Sequence, residues 1–523
     1  MVAKLLRSCL VGAAVLTAAG CDSGPKFDFT IVAGSENQVL EPIVQEFCAE
    51  EHVTCRMAYL GSLDIGLSLR SGQETTVDAV WPASSIWIDL FDTERRVSHL
   101  QSISQNPVVL GVRKSKAEAL GWTKGPVSSA DVLKAVEAGD LRFLMTSATQ
   151  SNSGAAAYLA MLAAARGKAV LEAADLDDPA TLDQVTRLLR GVERSSGSSG
   201  WLGDLYVDGA SKGASYDAMW NYEAVLKETN DRLAAKGIEP LWAIYPTDGV
   251  AISDSPLGFL GHGRPKEVED FFEALQAHLL APEVQARVAA TGRRVALGRA
   301  APAKAEPAWN FDPSRLVTAV QMPEAAVIRK ALTLYQEALR RPSLTALCLD
   351  FSGSMQGEGE SALRQAVSFL FTPERAAELL VQWSPKDRVF LIPFSGRVAG
   401  VWDGTGSPAD QARLLSQVSR QHADGGTDMY ACIREAYARM APLIAADDFL
   451  PAIVIMTDGR SEGDPEAFLA TRSAAEQRIP IFGITFGSAD RSQLETLAGA
   501  TGARVFDGAK DLTGAFRSAR GYN

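Results

Sequence analysis

The chain has few residues of the types that catalytic and metal-cluster sites use most often. Among 523 residues there are only five histidines and six cysteines. No C-x-x-C pair or Cys/His cluster indicates a zinc site. The motifs G-x-S-x-G, H-E-x-x-H and G-x-x-x-x-G-K-[ST], which mark serine hydrolases, zinc proteases and phosphate-binding loops, are also missing. We therefore expect that the protein is not an enzyme.

Excess positive charge and long apolar runs are lacking as well. The formal net charge is -12, and no block of Lys and Arg offsets it, which argues against a nucleic-acid-binding surface. After the first 20 residues, no apolar run approaches the roughly 20 residues that a membrane-spanning helix needs. At 523 residues the chain is too long for a single core, so two or three domains are expected.

The first residues have the features of an export signal. Lys4 and Arg7 precede a short apolar stretch, which ends in Ala18-Ala19-Gly20-Cys21. This segment resembles a bacterial lipoprotein signal, which implies removal of residues 1–20 and acylation of Cys21. Asp22 resembles the residue that retains such proteins in the inner membrane. The expected location is therefore the periplasmic face of the cell membrane. The alternative is an ordinary secretory signal with an incidental cysteine.

Export gives the remaining cysteines a context, because disulfides form in oxidising compartments. Cys48 and Cys55 flank a predicted helix end and the following strand, so we expect a local disulfide between them. Cys348 lies in a predicted buried strand and Cys432 in a predicted helix. We expect both of these to be packed, inert thiols.

Residues 27–300 alternate short apolar strands, small-residue turns and helices, which is typical of a doubly wound α/β sheet. This order resembles periplasmic solute-binding proteins of the two-lobed type. The resemblance implies that residues 106–112 cross from one lobe to the other and that residues 241–249 return. It also implies that the turns after the first strands face a cleft between the lobes.

Five serines at turn-to-helix junctions are the candidate cleft residues. They are Ser35, Ser62, Ser84, Ser151 and Ser153. Hydroxyls and backbone N–H groups at such junctions can hold a polar or anionic solute. The alternative is that each serine only caps its own helix.

Residues 301–342 are predicted to connect two domains. The first part is rich in Ala and Pro and shows no periodicity. Residues 323–341 then have apolar side chains at helical spacing, which predicts an amphipathic helix that packs one domain against the other.

The chemistry expected of the carboxyl-terminal part depends on a strand that ends in oxygen ligands. An apolar run over residues 344–349 predicts a buried strand. Asp350, Ser352 and Ser354 follow it at alternate positions. At the carboxyl end of a parallel strand these three groups can share one turn, and all three offer the hard oxygen that Mg²⁺ requires.

Two downstream segments fit the same site. Thr427 lies in a loop just before a predicted helix, and Asp458 ends a second apolar strand. The five positions together resemble the metal-ion-dependent adhesion site of von Willebrand factor type A (VWA) domains, over residues 343–523. The resemblance implies that Ser352, Ser354 and Thr427 touch the metal and that Asp350 and Asp458 act largely through water. An acidic group of a partner would complete the coordination. The alternative is a polar turn without a metal.

These features predict a membrane-anchored periplasmic binding or adaptor protein. Its VWA domain is expected to bind a protein partner through Mg²⁺, or through Mn²⁺ or Ca²⁺, while the two-lobed domain senses a solute or a second partner. One alternative is a solute receptor for an ABC-type transporter with an accessory VWA domain. Another is a hydrolase with a cryptic metal site.

Overall fold

Three β-sheets organise the part of the chain that the structure describes. The structure is a computed structural model. It describes residues 24–71, 76–214, 216–296, 298, 300–444, 448–487, 491–509 and 512–521. The predicted signal segment 1–20 and the predicted lipidation site Cys21 lie outside the described residues. No helix within those ranges is long and apolar enough to cross a bilayer.

Strands and helices alternate through the amino-terminal half. The strands are β1 (Asp28–Gly34), β2 (Thr54–Leu60), β3 (Ala79–Trp81), β4 (Ser98–Ser102), β5 (Asn106–Arg113), β6 (Phe143–Thr146), β7 (Val192–Ser196), β8 (Ala218–Tyr222), β9 (Leu241–Ile244), β10 (Val250–Ser253) and β11 (Pro256–Phe259). The α-helices are α1 (Glu41–Glu50), α2 (Ser62–Ser71), α3 (Ile86–Phe91), α4 (Lys114–Ala119), α5 (Ser129–Glu137), α6 (Asn152–Arg166), α7 (Pro179–Leu189), α8 (Ser199–Ser211), α9 (Glu223–Ala235), α10 (Lys266–Leu279) and α11 (Pro282–Ala290).

These elements form two lobes. In the first lobe the strand order is β2-β1-β3-β11-β4, and β2, β1 and β3 are parallel. In the second lobe the order runs β10-β5-β8-β6-β7, with β9 also pairing β5. The chain returns to the first lobe between β10 and β11, because β10 pairs β5 whereas β11 pairs β3. The return expected at residues 241–249 is therefore wrong by a few residues, since β9 still belongs to the second lobe.

The connector ends in the predicted amphipathic helix. The segment contains β12 (Ala319–Val320) and α12 (Ala325–Leu334), which continues as a π-helical turn, Tyr335–Leu339. Val327, Ile328 and Leu339 are buried in the same apolar cluster as the helices of the second lobe. The Tyr158 hydroxyl of α6 donates a hydrogen bond to the Ala331 carbonyl at 2.9 Å. The connector helix is thus packed against the second lobe.

A third sheet forms the core of the carboxyl-terminal domain. Its strands are β13 (Ser343–Asp350), β14 (Arg388–Phe394), β15 (Trp402–Thr405), β16 (Leu450–Thr457), β17 (Ile481–Thr485) and β18 (Val505–Asp507). Its helices are α13 (Glu358–Leu370), α14 (Pro373–Glu378), α15 (Pro408–Val418), α16 (Met429–Ile444), α17 (Pro465–Ala470), α18 (Ala474–Gln477), α19 (Arg491–Ala500) and α20 (Leu512–Gly521). The strand order is β15-β14-β13-β16-β17-β18, and only β15 runs antiparallel to its neighbour. The central strand β13 is buried along its whole length.

Two disulfides are present among the described residues. The first joins Cys48 of α1 to Cys55 of β2, which is the pairing expected from the sequence. The second joins Cys348 of β13 to Cys432 of α16. The expectation of two inert thiols was therefore wrong. The reason is that α16 packs on the face of the sheet from which Cys348 projects, so that the two Cα atoms lie 6.0 Å apart.

Candidate functional site

The candidate site lies at the edge of the third sheet where the parallel strands end, and its first residue is Asp350, the last residue of β13. Asp350 is fully buried there, and both carboxylate oxygens accept hydrogen bonds. Oδ1 accepts from the Ser352 backbone N–H at 2.8 Å, and Oδ2 accepts from the Thr457 hydroxyl at 2.5 Å. Because Thr457 is the last residue of the neighbouring strand β16, these bonds fix the Asp350 carboxylate between two adjacent parallel strands.

The other predicted donors converge on the same edge. The Ser352 and Ser354 hydroxyl oxygens are 3.1 Å apart, and Ser354 donates to Asp458 Oδ1 at 2.7 Å. Thr427 lies beside them, because a Cβ placed on Gly459 would be 3.2 Å from the Thr427 hydroxyl oxygen and 3.7 Å from that of Ser354. The structure therefore brings together the side chains of all five predicted residues, on three separate loops.

Backbone contacts hold these loops in register. The Gly353 N–H donates to the Gly425 carbonyl at 2.9 Å. Gly425 has a φ of +81°, which favours glycine. The Ser461 hydroxyl accepts from the Met429 N–H at 2.9 Å, at the first turn of α16. The loop that carries Thr427 is thus tied both to the loop after β13 and to the loop after β16.

The electrostatics of this edge suit a cation. Burial raises the pKa of Asp350, hydrogen bonds from Thr457 and Ser352 lower it, and the nearby charge of Asp458 raises it again. Two carboxylates and three hydroxyls face one another, and Ser354 is exposed to solvent. Carboxylate and hydroxyl oxygens are hard donors of the kind that Mg²⁺, Mn²⁺ and Ca²⁺ bind. The residues present therefore fit a divalent cation.

A different group of potential ligands lies on the first lobe. His99, Glu269 and Glu273 are the one set of three His, Cys, Asp or Glu side chains within 4.8 Å of one another in the described residues. The two carboxylates contact opposite nitrogens of the imidazole, at 2.8 Å to Nε2 and 3.3 Å to Nδ1. The imidazole of His99 therefore lies between two carboxylates, each of which contacts a different ring nitrogen.

The five candidate cleft serines have different surroundings. Ser35 lines a cavity, and its hydroxyl accepts from the Gly200 N–H of the second lobe at 3.1 Å. Ser62 is buried and accepts from the Ala83 N–H at 2.9 Å. Ser153 is buried, and its hydroxyl forms a hydrogen bond with the Thr146 hydroxyl at 2.8 Å. Ser84 and Ser151 are also buried. The helices that begin at or just after Ser35, Ser84 and Ser151 have no side-chain cap.

Polar side chains fill the boundary between the lobes. The Trp87 indole donates to Asn152 Oδ1 at 2.8 Å, and Asn152 donates to the Tyr222 hydroxyl at 3.0 Å. Glu36 lies fully buried near Ser199, and burial raises its pKa to about 7. One oxygen of this carboxylate has no hydrogen-bond partner. The facing surfaces of the lobes are thus in contact.

A cavity of about 570 Å³ remains beside this boundary. Three parts of the chain line it: the first lobe through Ser35 and Tyr59, the second lobe through Trp201, and the carboxyl-terminal domain through Arg504 and Phe506. Its size is in the range of small-molecule sites, which often lie at domain boundaries. The third wall could not be predicted from the sequence, because it depends on how the domains pack.

Two parts of the chain match known protein families. The family of bacterial extracellular solute-binding proteins matches residues 29–294, and the von Willebrand factor type A domain matches residues 346–517. No curated protein matches the chain.

Solved structures of similar fold include the periplasmic binding protein P5PA, with 16% identity, 56% of this chain and 92% of that chain covered, and a TM-score of 0.42. The periplasmic binding protein AfuA from Actinobacillus pleuropneumoniae, solved with fructose-6-phosphate, has 14% identity, coverage of 58% and 94%, and a TM-score of 0.41. A von Willebrand factor type A protein from Catenulispora acidiphila has 18% identity, coverage of 35% and 43%, and a TM-score of 0.29.

VWA domains commonly bind a divalent metal, and the oxygen donors described above lie in that domain. The family matches confirm the predicted fold class, a two-lobed periplasmic-binding-protein-like region followed by a doubly wound VWA domain. The chain belongs to the bacterial extracellular solute-binding proteins and carries a VWA domain at its carboxyl-terminal end.

Proposed function

We propose that this protein is a non-enzymatic adaptor of the periplasmic face of the cell membrane, which binds a partner protein through a divalent cation on its VWA domain. The observation that carries the proposal is the convergence of Asp350, Ser352, Ser354, Thr427 and Asp458 at one sheet edge. Ser352, Ser354 and Thr427 would hold the cation directly, and the two aspartates would orient its water ligands. Bound there, a cation such as Mg²⁺ supplies an electrophilic centre for a carboxylate.

The accessibility of the donors supports binding of a partner rather than catalysis. Ser354 is exposed, Thr427 and Asp458 are half-buried, and Gly425 and Gly426 are exposed on the neighbouring loop. A cation here would face solvent, with a coordination position open to an acidic side chain of another protein. His422 is the histidine nearest in the sequence, and it pairs with Glu360 at 3.6 Å rather than with a donor of the site.

Thermal unfolding of the chain from Asp22 onward tests the metal site. A cation that binds only the folded state stabilises it by mass action, by about 2.7 kcal/mol at 100 times its Kd. We expect millimolar Mg²⁺, Mn²⁺ or Ca²⁺ to raise the Tm of the VWA domain relative to EDTA. Asp350→Ala and Ser352→Ala should abolish the rise, while Asp403→Ala, an exposed carboxylate of the same domain outside the site, should keep it. A metal-induced rise that survives both site variants would contradict the proposal.

The membrane anchor is a separate part of the proposal. Acylation of Cys21 would hold the mature chain at the membrane, with Asp22 favouring the inner membrane. Labelling of cells with a fatty-acid analogue should mark the wild-type protein and not Cys21→Ser, which should then appear in the soluble periplasmic fraction. Equal labelling of both proteins would refute the anchor.

A solute receptor for an ABC-type transporter is the second candidate. The cavity of about 570 Å³ beside the lobe boundary favours it, because such a volume suits a small solute. A solute that raises the Tm of wild type but not of Trp201→Ala, a variant in the cavity lining, would support this function. In that case the VWA domain would be an accessory.

A further inference from the structure

The last helix of the VWA domain reaches both lobes of the solute-binding region. The Arg517 guanidinium of α20 forms an ion pair with Asp64 of α2, in the first lobe. The Arg517 backbone carbonyl accepts a hydrogen bond from Gln150 Nε2, in the second lobe, at 2.5 Å. Arg517 and Gln150 are both buried. A single residue of the VWA domain therefore bridges the two lobes.

The end of the same helix lies directly on the second lobe. The Gly521 carbonyl accepts from the Ser195 hydroxyl at 3.4 Å. A Cβ on Gly521 would overlap the Gln150 carboxamide, so the helix end and this side chain approach each other closely. The lobes also touch each other at this point, because a Cβ on Gly61 of the first lobe would overlap the carbonyl of Gln150.

The Arg517–Asp64 pair is desolvated. The side chains of Arg517 and Asp64 are only 8% and 14% exposed. Burial raises the pKa of Asp64, and the charge of Arg517 opposes that rise. Removing one member of such a pair leaves a buried, uncompensated charge, which is strongly unfavourable. Separation of the lobes at this point would either break the Arg517–Asp64 ion pair or break the hydrogen bond of Gln150 to the Arg517 carbonyl.

The helix that carries Arg517 is itself firmly anchored. Phe516 and Ala519 of α20 are buried in the VWA core, against residues of α13 and β17. Arg520 is buried as well, with its guanidinium 3.6 Å from the Trp383 ring centroid. The helix cannot follow a moving lobe without losing this packing.

We propose that α20 is an internal clamp that holds the two lobes closed without a solute. Any group that contacts both lobes only when they are together favours the closed state by the free energy of those contacts. A free solute supplies such contacts only when it is bound. Arg517 supplies them permanently, because it is part of the same chain and has a high effective concentration. Opening of the cleft then requires release of Arg517.

Hydrogen exchange of the intact chain without added solute tests the clamp. Asp64→Asn and Gln150→Ala each remove one side of the bridge and leave the VWA residues unchanged. We expect both variants to accelerate exchange in residues 58–66 and 147–153 on the order of tenfold or more, and to increase the radius of gyration. Protection of β13 should remain that of wild type.

Lys212→Ala is the matched control. Lys212 donates to the Gly499 carbonyl at 3.1 Å, so it joins the VWA domain to the second lobe without touching the first. This variant should exchange like wild type. If Asp64→Asn also loses protection of β13, the result for Gln150→Ala decides the test, because that variant leaves the charges of Arg517 and Asp64 in place. Wild-type exchange in both lobe segments of Gln150→Ala would overturn the proposal.

Discussion

Substitution of Asp387 by Asn should cause a large loss of stability in the VWA domain. Asp387 is fully buried just before β14. Its Oδ1 accepts from the Ser343 N–H at 2.8 Å, and its Oδ2 accepts from the Ser384 N–H at 2.9 Å. Two guanidinium groups also contact Oδ2: that of Arg340 of the connector, which is half-buried, at 2.5 Å and that of Arg520 of α20, which is buried, at 3.6 Å.

The expected magnitude follows from this contact set. Burial opposes ionisation of Asp387, but Arg340 and Arg520 overcome that effect and hold its pKa below the ordinary value. An amide keeps the shape of the carboxylate, yet it neutralises neither guanidinium and turns an N–H₂ group toward donors. Breaking a buried ion pair from one side costs about 3–5 kcal/mol. At about 2–4 °C per kcal/mol for a domain of this size, the Tm should fall by roughly 6–20 °C.

Differential scanning calorimetry measures this effect, because it can resolve separate transitions in a multidomain chain. Glu435→Gln is the control, since it breaks the exposed pair with Arg439 in α16 and should change stability by no more than about 0.5 kcal/mol. The penalty of Asp387→Asn should be constant near neutral pH. It should shrink below about pH 4, where the unfolded carboxyl becomes protonated and the folded one loses its advantage. A Tm change as small as that of Glu435→Gln would refute the reasoning.

Three further results are expected. The double variant Cys348→Ala, Cys432→Ala should destabilise the VWA domain by about 4 kcal/mol in chemical denaturation, because the disulfide closes a loop with a sequence separation of 84. Wild type with its disulfides reduced is the control and should lose the same stability. No loss in the double variant would contradict the expectation. Glu36→Gln should remove a pH dependence of stability. Burial raises the folded pKa of Glu36 to about 7. The stability that protonated Glu36 contributes to the folded state is therefore complete below the unfolded pKa of about 4.3, and about 3 kcal/mol of stability is lost as the pH rises through 7. Urea unfolding of wild type and variant from pH 4.5 to 8 measures the difference, and parallel pH profiles of the two proteins would exclude it. Tyr158→Phe should cost about 1 kcal/mol through loss of the hydrogen bond to Ala331 in α12, whereas Tyr430→Phe, at a buried tyrosine whose hydroxyl has no hydrogen-bond partner among the described residues, should cost less in the same assay.

The sequence predicts the oxygen-rich edge well because the information is local. Asp350, Ser352 and Ser354 lie within one turn, and the register of parallel strands places the end of β16 beside the end of β13. Leu349 pairs with Met456, so residues one step further along each strand must meet. Only the position of Thr427 depends on a long loop, and the helix that follows it fixes that loop.

The second disulfide was missed although part of its signal is present in the sequence. Alternate residues of β13 face opposite sides of the sheet, with Leu344, Ala346 and Cys348 in one apolar cluster and Leu347 and Leu349 in the other. Periodicity alone therefore gives the face of Cys348. The face that α16 covers is set by the handedness of the crossover between parallel strands. Combining the two would have placed Cys432 near Cys348.

No comparable pattern in the sequence predicts the contacts between the domains. Gln150 and Arg517 are 367 residues apart, and neither lies in a motif. The five cleft serines were chosen because strand-end turns of two-lobed proteins face a cleft, and four of them are buried in the structure. Local patterns determine which turns reach the boundary, whereas domain packing determines what fills it.

The closed boundary bears on which of the two proposed functions is the stronger. A transport receptor must open and close so that solute can enter and leave. Here Asn152, Trp87 and Tyr222 fill the boundary with their own hydrogen bonds, and Arg517 joins both lobes to a helix of the VWA core. A clamp of this kind makes opening unfavourable, whereas it gives an adaptor a rigid support for the VWA domain. The contacts at the boundary therefore favour the proposed adaptor, in which the solute-binding fold would position the oxygen-rich edge of the VWA domain relative to the proposed membrane anchor.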